Sequence, residues 1–224
     1  MSFDSDEEQI EHLKRLWHSY GKPALIAVMI TLLGVFGYKA WQKHLYESSV
    51  NASQLYESLL DVLAKESNEL SDEDEATTMS HVVERMQKDF SGSRYAALAT
   101  LFLAKQQVKA KELDRAINSF EWILWQKPDR KIEALTRVRL ARVLMSLPEA
   151  KASQALAVLA KLKSDNKYFV GSIESVRGDI YLALGERDSA RKAYLQALDV
   201  AQDGQTKMLL QLLIDDLVSV SLED

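Results

Sequence analysis

The side chains best suited to acid–base or metal chemistry are four histidines, His12, His18, His44 and His81, and two adjacent carboxylates, Asp215 and Asp216. A helical metal site needs two histidines four residues apart, on one face. No pair here has that or a comparable ligand spacing. Neighbouring carboxylates on a helix point about 100° apart, so Asp215 and Asp216 cannot easily share a substrate. Cysteine is absent, which removes thiolate chemistry and disulfides. The eight glycines are scattered and form neither a phosphate-cradling loop nor a nucleophile elbow. No catalytic residue, metal ligand or cofactor site is expected, and the function is sought in binding surfaces.

Those surfaces depend on two kinds of element. The first is an uncharged run, Pro23 to Tyr38 (PALIAVMITLLGVFGY), bounded by Lys22 and Lys39. As a helix it is about 24 Å long, against a hydrocarbon core of about 30 Å. Trp17 and Tyr20 before it, and Tyr38 and Trp41 after it, are amphipathic anchors that extend its reach into two headgroup layers. Lys22 and Lys39 can snorkel outward on their apolar stems. A membrane span over residues 23–41 is predicted; a buried core helix is the alternative that so short a run permits.

The region before the run opens acidic, with Asp4, Asp6, Glu7, Glu8 and Glu11, and reads as a short tail over residues 1–22 with an unstructured start. Its exit, Gly37-Tyr38-Lys39-Ala40-Trp41, offers no small-x-small cleavage site, so an uncleaved anchor is expected. Lys14, Arg15 and Lys22 on one side outnumber Lys39 and Lys43 on the other. That bias puts the N-terminus in the cytoplasm and residues 42–224 across the membrane. The chain carries a net charge of −5. It has no basic stripe for nucleic acid, which is not expected as a partner.

The second kind of element is a repeat. Past the span, apolar residues recur at three and four, as in Leu55, Leu59, Val62 and Leu63, and no sustained alternation appears. Ala104, Ala141 and Gly178 are spaced 37 residues apart; Ala116, Ala155 and Ala190 follow them, with Phe120, Leu159 and Tyr194 four residues later. Pro128 closes the first copy and Gly185 sits in the turn of the last. Small residues at positions 8 and 20 and large ones at 24 match the 34-residue tetratricopeptide pattern, in which helical pairs stack into a superhelix.

The expected fold is therefore all-α: one transmembrane helix followed by a tetratricopeptide-like solenoid with a C-terminal capping helix. A degenerate repeat is placed at about 50–92, further repeats at about 97–130, 134–168 and 171–204, and the cap at 205–220. The acidic run Ser71 to Glu75 reads as a turn and helix start, with a helix from about Ala76 to Phe90.

Positions 2, 5, 9 and 12 of each first helix line the concave face of such a stack. They are Leu98, Leu101, Lys105 and Val108, then Leu135, Val138, Arg142 and Met145, then Ser172, Ser175, Asp179 and Leu182. An apolar groove with a few cations suits amphipathic or unfolded segments. The chain's own terminal helices are the alternative occupant. Within the span, Ala27, Thr31 and Gly34 form a smooth stripe that permits close helix contact in lipid.

The tail Asp4-Ser5-Asp6-Glu7-Glu8-Gln9, the approach Trp17-x-x-Tyr20-Gly21-Lys22, the repeats and the helix Met208-Leu209-Leu210-Gln211-Leu212-Leu213-Ile214-Asp215-Asp216-Leu217 together resemble the YfgM family of bacterial inner-membrane proteins. The resemblance covers essentially the whole chain. It implies a cytoplasmic N-terminus, a periplasmic repeat domain, and association with the SecYEG translocon and the periplasmic chaperone PpiD. The implied role is passing unfolded secretory chains to periplasmic chaperones. A scaffold that assembles an envelope complex without touching clients is the other reading, and a cytosolic receptor a third. The tail leaves room for a cytoplasmic regulator.

Overall fold

The computed structural model describes residues 3–66, 72–147, 151–162, 166 and 168–220. Among the described residues every regular element is a helix: α1 (Phe3–Glu66), α2 (Asp72–Asp89), α3 (Arg94–Lys109), α4 (Leu113–Trp125), α5 (Arg130–Met145), α6 (Ala152–Ala160), α7 (Val170–Ala183), α8 (Arg187–Val200) and α9 (Gly204–Val220). The chain divides into two compact units, Met1–Val50 and Asn51–Asp224.

The first unit is α1 as far as Val50. Its N-terminal part corrects the expectation of an unstructured acidic start, because the helix already begins at Phe3. The reason is visible in the residues: carboxylates at the helix start complement its dipole, and Glu, Gln, Leu and Lys are strong helix formers. The helix continues through Pro23 without a break. Leu25, Ile26, Met29, Ile30, Leu32, Leu33, Val35 and Phe36 all stand exposed on it. At 100° per residue they sweep more than half its circumference, and Ala27, Thr31 and Gly34 occupy much of the remaining arc. Among the described residues, no helix is long and apolar enough to cross a membrane. The uncharged stretch has sixteen residues, short of the ~20 that a full span needs.

In the second unit each helix packs on the next from α2 to α9, and α3 also touches α5, as α5 does α7. Successive packing plus contact between alternate helices is the signature of stacked helical pairs: α3 with α4, α5 with α6, and α7 with α8. Leu59 of α1 joins Met79, Val83 and Met86 of α2 and Ala96, Ala99 and Leu103 of α3 in a core at one end. A central core runs from Ala97 to Ile180. At the other end Tyr194 and Ala197 of α8 meet Leu210, Ile214 and Leu217 of α9.

The small-and-large register accounts for how closely the pairs approach. Ala104, Ala141, Ala116, Ala155 and Ala190 are fully buried, and Gly178 is buried with them. Phe120, Leu159 and Tyr194 fill the space beside them. At Gly178 the approach leaves no room for a side chain, since any Cβ there would run into the Tyr194 ring.

The turns repeat as well. After α3, the Lys111 N–H donates to Val108 O and the Glu112 N–H to Gln107 O. After α7, Gly185 and Glu186 donate to Leu182 O and Tyr181 O in the same pattern. Both are Schellman turns, which need a left-handed residue at the first position past the cap. Gly185 supplies it at φ 78°, and Lys111 adopts φ 63° despite its side chain. The starts of α3 and α5 are capped by side chains: Ser93 accepts from Ala96 N, and Asp129 accepts from Lys131 N and Ile132 N.

Candidate functional site

Helices α3, α5 and α7 present their position-9 residues outward: Lys105, Arg142 and Asp179 are all exposed. Val108 and Leu182 are also exposed, while Leu98, Leu135, Met145, Ser172 and Ser175 are half-buried. Leu101 and Val138 do not belong to an open surface. They are 4% and 2% exposed and sit in the central core. In α3 and α5 position 5 is packed into that core, so both residues hold the stack together and are withdrawn from the predicted groove, while Ser175 at position 5 of α7 stays half-buried. What remains is a narrow apolar margin (Leu98, Val108, Leu135, Met145 and Leu182) flanking a row of charges.

The charges are organised by what lies beneath them. The buried Tyr194 hydroxyl of α8 donates to Asp179 Oδ1 at 2.8 Å, reaching between the helices of its pair. Partial enclosure raises the Asp179 pKa above the ordinary carboxylate value; the Tyr194 hydrogen bond and the positive charge of Arg142 pull the other way without cancelling it. Burial first, then the hydrogen bond to Asp179 and its charge, push the Tyr194 phenol strongly up. Arg139, one turn before Arg142, has its pKa lowered by burial and by that neighbouring cation. Sequence spacing did not single out Arg139, because it falls between the positions assigned to the concave face. The row therefore runs from cationic at α3 and α5 to anionic at α7.

The stripe on α1 is exposed as well. Thr31 Oγ1 donates to Ala27 O at 2.8 Å, turning its polar atom onto its own helix. A Cβ at Gly34 would meet only open space. The stripe is smooth, with all three residues exposed.

No sequence signal pointed to the cleft between α2 and α4, over the last turns of α3, with a volume of about 1070 Å³. It takes side chains from three helices, each unremarkable by itself. Among the described residues no group of three metal-ligating side chains comes together.

A family profile described as a tetratricopeptide repeat-like domain matches residues 14–219. Similar curated proteins are the ancillary SecYEG translocon subunit of Neisseria gonorrhoeae, 28% identical over 95% of this chain and 97% of its own, and those of Haemophilus influenzae (27%, 88% and 91%) and Escherichia coli (26%, 86% and 86%). No solved structure matches the chain. The stacked pairs, their small-and-large register and this match across nearly the full length agree: the chain belongs to the tetratricopeptide repeat-like domain family, as a relative of proteins named ancillary SecYEG translocon subunit.

Proposed function

We propose that this protein is a non-enzymatic ancillary subunit of the Sec translocon, anchored by residues 23–41 with its N-terminus in the cytoplasm and its repeat domain in the periplasm. Its relatives' names support the Sec association. The observation that carries the anchoring is the exposed apolar surface of α1 from Leu25 to Phe36, which has no place in water at that size. The apolar run falls short of a full span by a few residues, and the aromatic and lysine flanks close the difference. Ala27, Thr31 and Gly34 form the face that meets a partner helix in lipid.

The repeat domain receives unfolded secretory chains and passes them to periplasmic chaperones, with PpiD as its membrane-bound partner. Lys105, Val108, Arg142, Met145, Ser175 and Asp179, with Leu98 and Leu135 beside them, form the contacting face. Charges spaced along an apolar margin suit amphipathic segments of varied sequence.

Affinity purification of the full-length chain in mild detergent tests the assembly: SecYEG and PpiD should co-elute, and their absence would sink the translocon assignment. Photo-crosslinkers at Lys105, Val108 and Met145 should capture emerging chains, whereas capture of envelope proteins only would favour a scaffold. Protease added to spheroplasts should digest the repeat domain; protection would place it in the cytosol.

A further inference from the structure

We propose that the cleft between α2 and α4 binds an extended polypeptide segment through its backbone, without regard to side-chain sequence. On α3, Leu103, Gln106 and Gln107 face the cleft, while Leu98, Leu101, Lys105 and Val108 lie on the opposite side of the same helix at 100° per residue. The cleft is therefore a second surface, distinct from the charged concave row.

Its lining is rich in side-chain amides and hydroxyls: Gln87 from α2, Gln106 and Gln107 from α3, and Asn118 and Ser119 from α4. Two internal bonds hold it in shape. Gln87 Nε2 donates to the buried Thr100 hydroxyl at 3.0 Å, and Ser119 Oγ donates to Gln107 Oε1 at 2.8 Å. The first engages the Gln87 NH₂ and leaves its carbonyl oxygen as an acceptor, and the second leaves the Gln107 NH₂ as a donor. Gln106 and Asn118 make no side-chain hydrogen bond among the described residues, so each offers both kinds of group. A row of primary amides with donors and acceptors interleaved matches one ligand above others, a chain of alternating N–H and C=O groups.

Charge and shape narrow the choice. At the rim Arg115 is paired with Glu112 at 3.1 Å and Glu84 adds one exposed carboxylate, so the cleft disfavours acidic segments and suits neutral ones. Among the described residues the lining has no phenyl, phenol or indole ring on which a sugar would stack; the ring it does have is that of His81. At about 1070 Å³ the cleft matches the upper range of ligand sites, and it lies open to solvent, as a passing chain requires.

The test uses the full-length chain in mild detergent and a short fluorescent peptide of Ser, Ala, Thr and Gln, read by anisotropy. Three ligands are compared: the peptide, its scrambled sequence, and the same peptide N-methylated at alternate residues. Peptide and scramble should bind within about twofold of each other, and N-methylation should weaken binding by about fivefold or more, the scale of one lost hydrogen bond. The double variant Gln106→Ala/Asn118→Ala should show the same loss with unchanged circular dichroism. Lys105→Glu/Arg142→Glu should leave this binding intact, whatever it does to crosslinking at the concave face, so the two surfaces stand or fall separately. Absence of saturable binding, insensitivity to N-methylation, a strong effect of scrambling, or undiminished binding by the double variant would each overturn the proposal. So would saturable binding of a neutral oligosaccharide in place of the peptide.

Discussion

Replacing Gly178 by alanine isolates the contact on which the last repeat is built. In an ordinary helix interior the change would stabilise by about 1 kcal/mol, because glycine is the poorer helix former. Here the new methyl would be driven into Cε1 and Cδ1 of Tyr194 and stand 2.7 Å from Cζ. The carbon–carbon optimum is about 3.5–4.0 Å. The ring cannot swing aside cheaply. It is 1% exposed, and its hydroxyl is held at 2.8 Å by Asp179. Overpacking costs about 1–3 kcal/mol, and a pinned ring puts this case near the upper end. Net of the propensity gain, Gly178→Ala should destabilise by about 2 kcal/mol.

The assay is urea unfolding of the full-length chain in mild detergent, followed by circular dichroism. With a slope of about 2 kcal/mol per molar, the midpoint should fall by about 1 M. A double-mutant cycle gives the sharper test. In a Tyr194→Leu background the clash is gone, so Gly178→Ala should stabilise by up to about 1 kcal/mol, a coupling of about 3 kcal/mol between the two sites. If Gly178→Ala stabilises the wild-type chain, or if the two changes add within about 0.5 kcal/mol, the steric account is wrong.

The turn register leads to an unusual pair. Lys111→Gly should stabilise by about 0.5–1 kcal/mol by relieving its left-handed backbone, while Gly185→Ala at the equivalent turn should destabilise by about 1 kcal/mol; thermal melts of both check the sign reversal. Leu101→Ala should cost about 2–4 kcal/mol in urea unfolding, as expected for a core residue, whereas Lys105→Ala should leave stability within about 0.5 kcal/mol. Asp179 has a folded pKa raised above its unfolded one, so the folded state binds the extra proton. Wild-type stability relative to Asp179→Asn should therefore fall as pH rises from the ordinary carboxylate range through the raised value, measured as urea midpoints of both proteins; a flat difference would remove the assigned enclosure. Asp129→Ala should cost about 1 kcal/mol through the α5 cap and Asp129→Asn much less, by the same assay.

Much of this molecule was legible in its residues because repeat packing is local and periodic. Ala104, Ala141 and Gly178, with Ala116, Ala155 and Ala190, announce close helix approach before any coordinate is known: only small side chains permit it, and their spacing recurs with the helical pair. The absence of ligand spacing among the histidines was equally plain. Other features were not. The acidic start read as unstructured, yet its residues are good helix formers with acids at the favourable end, and it is helical from Phe3. Periodicity also assigned Leu101 and Val138 to the same open face as Lys105 and Arg142.

Period alone tells which way a side chain points from its own helix. How deeply it is covered depends on the neighbouring pair and the twist between pairs, which no single helix encodes. For that reason the tertiary structure alone decided that Leu101 and Val138 are core and that Asp179 is tied to Tyr194. It alone brought Gln87, Gln106, Gln107 and Asn118 from three helices into one cleft.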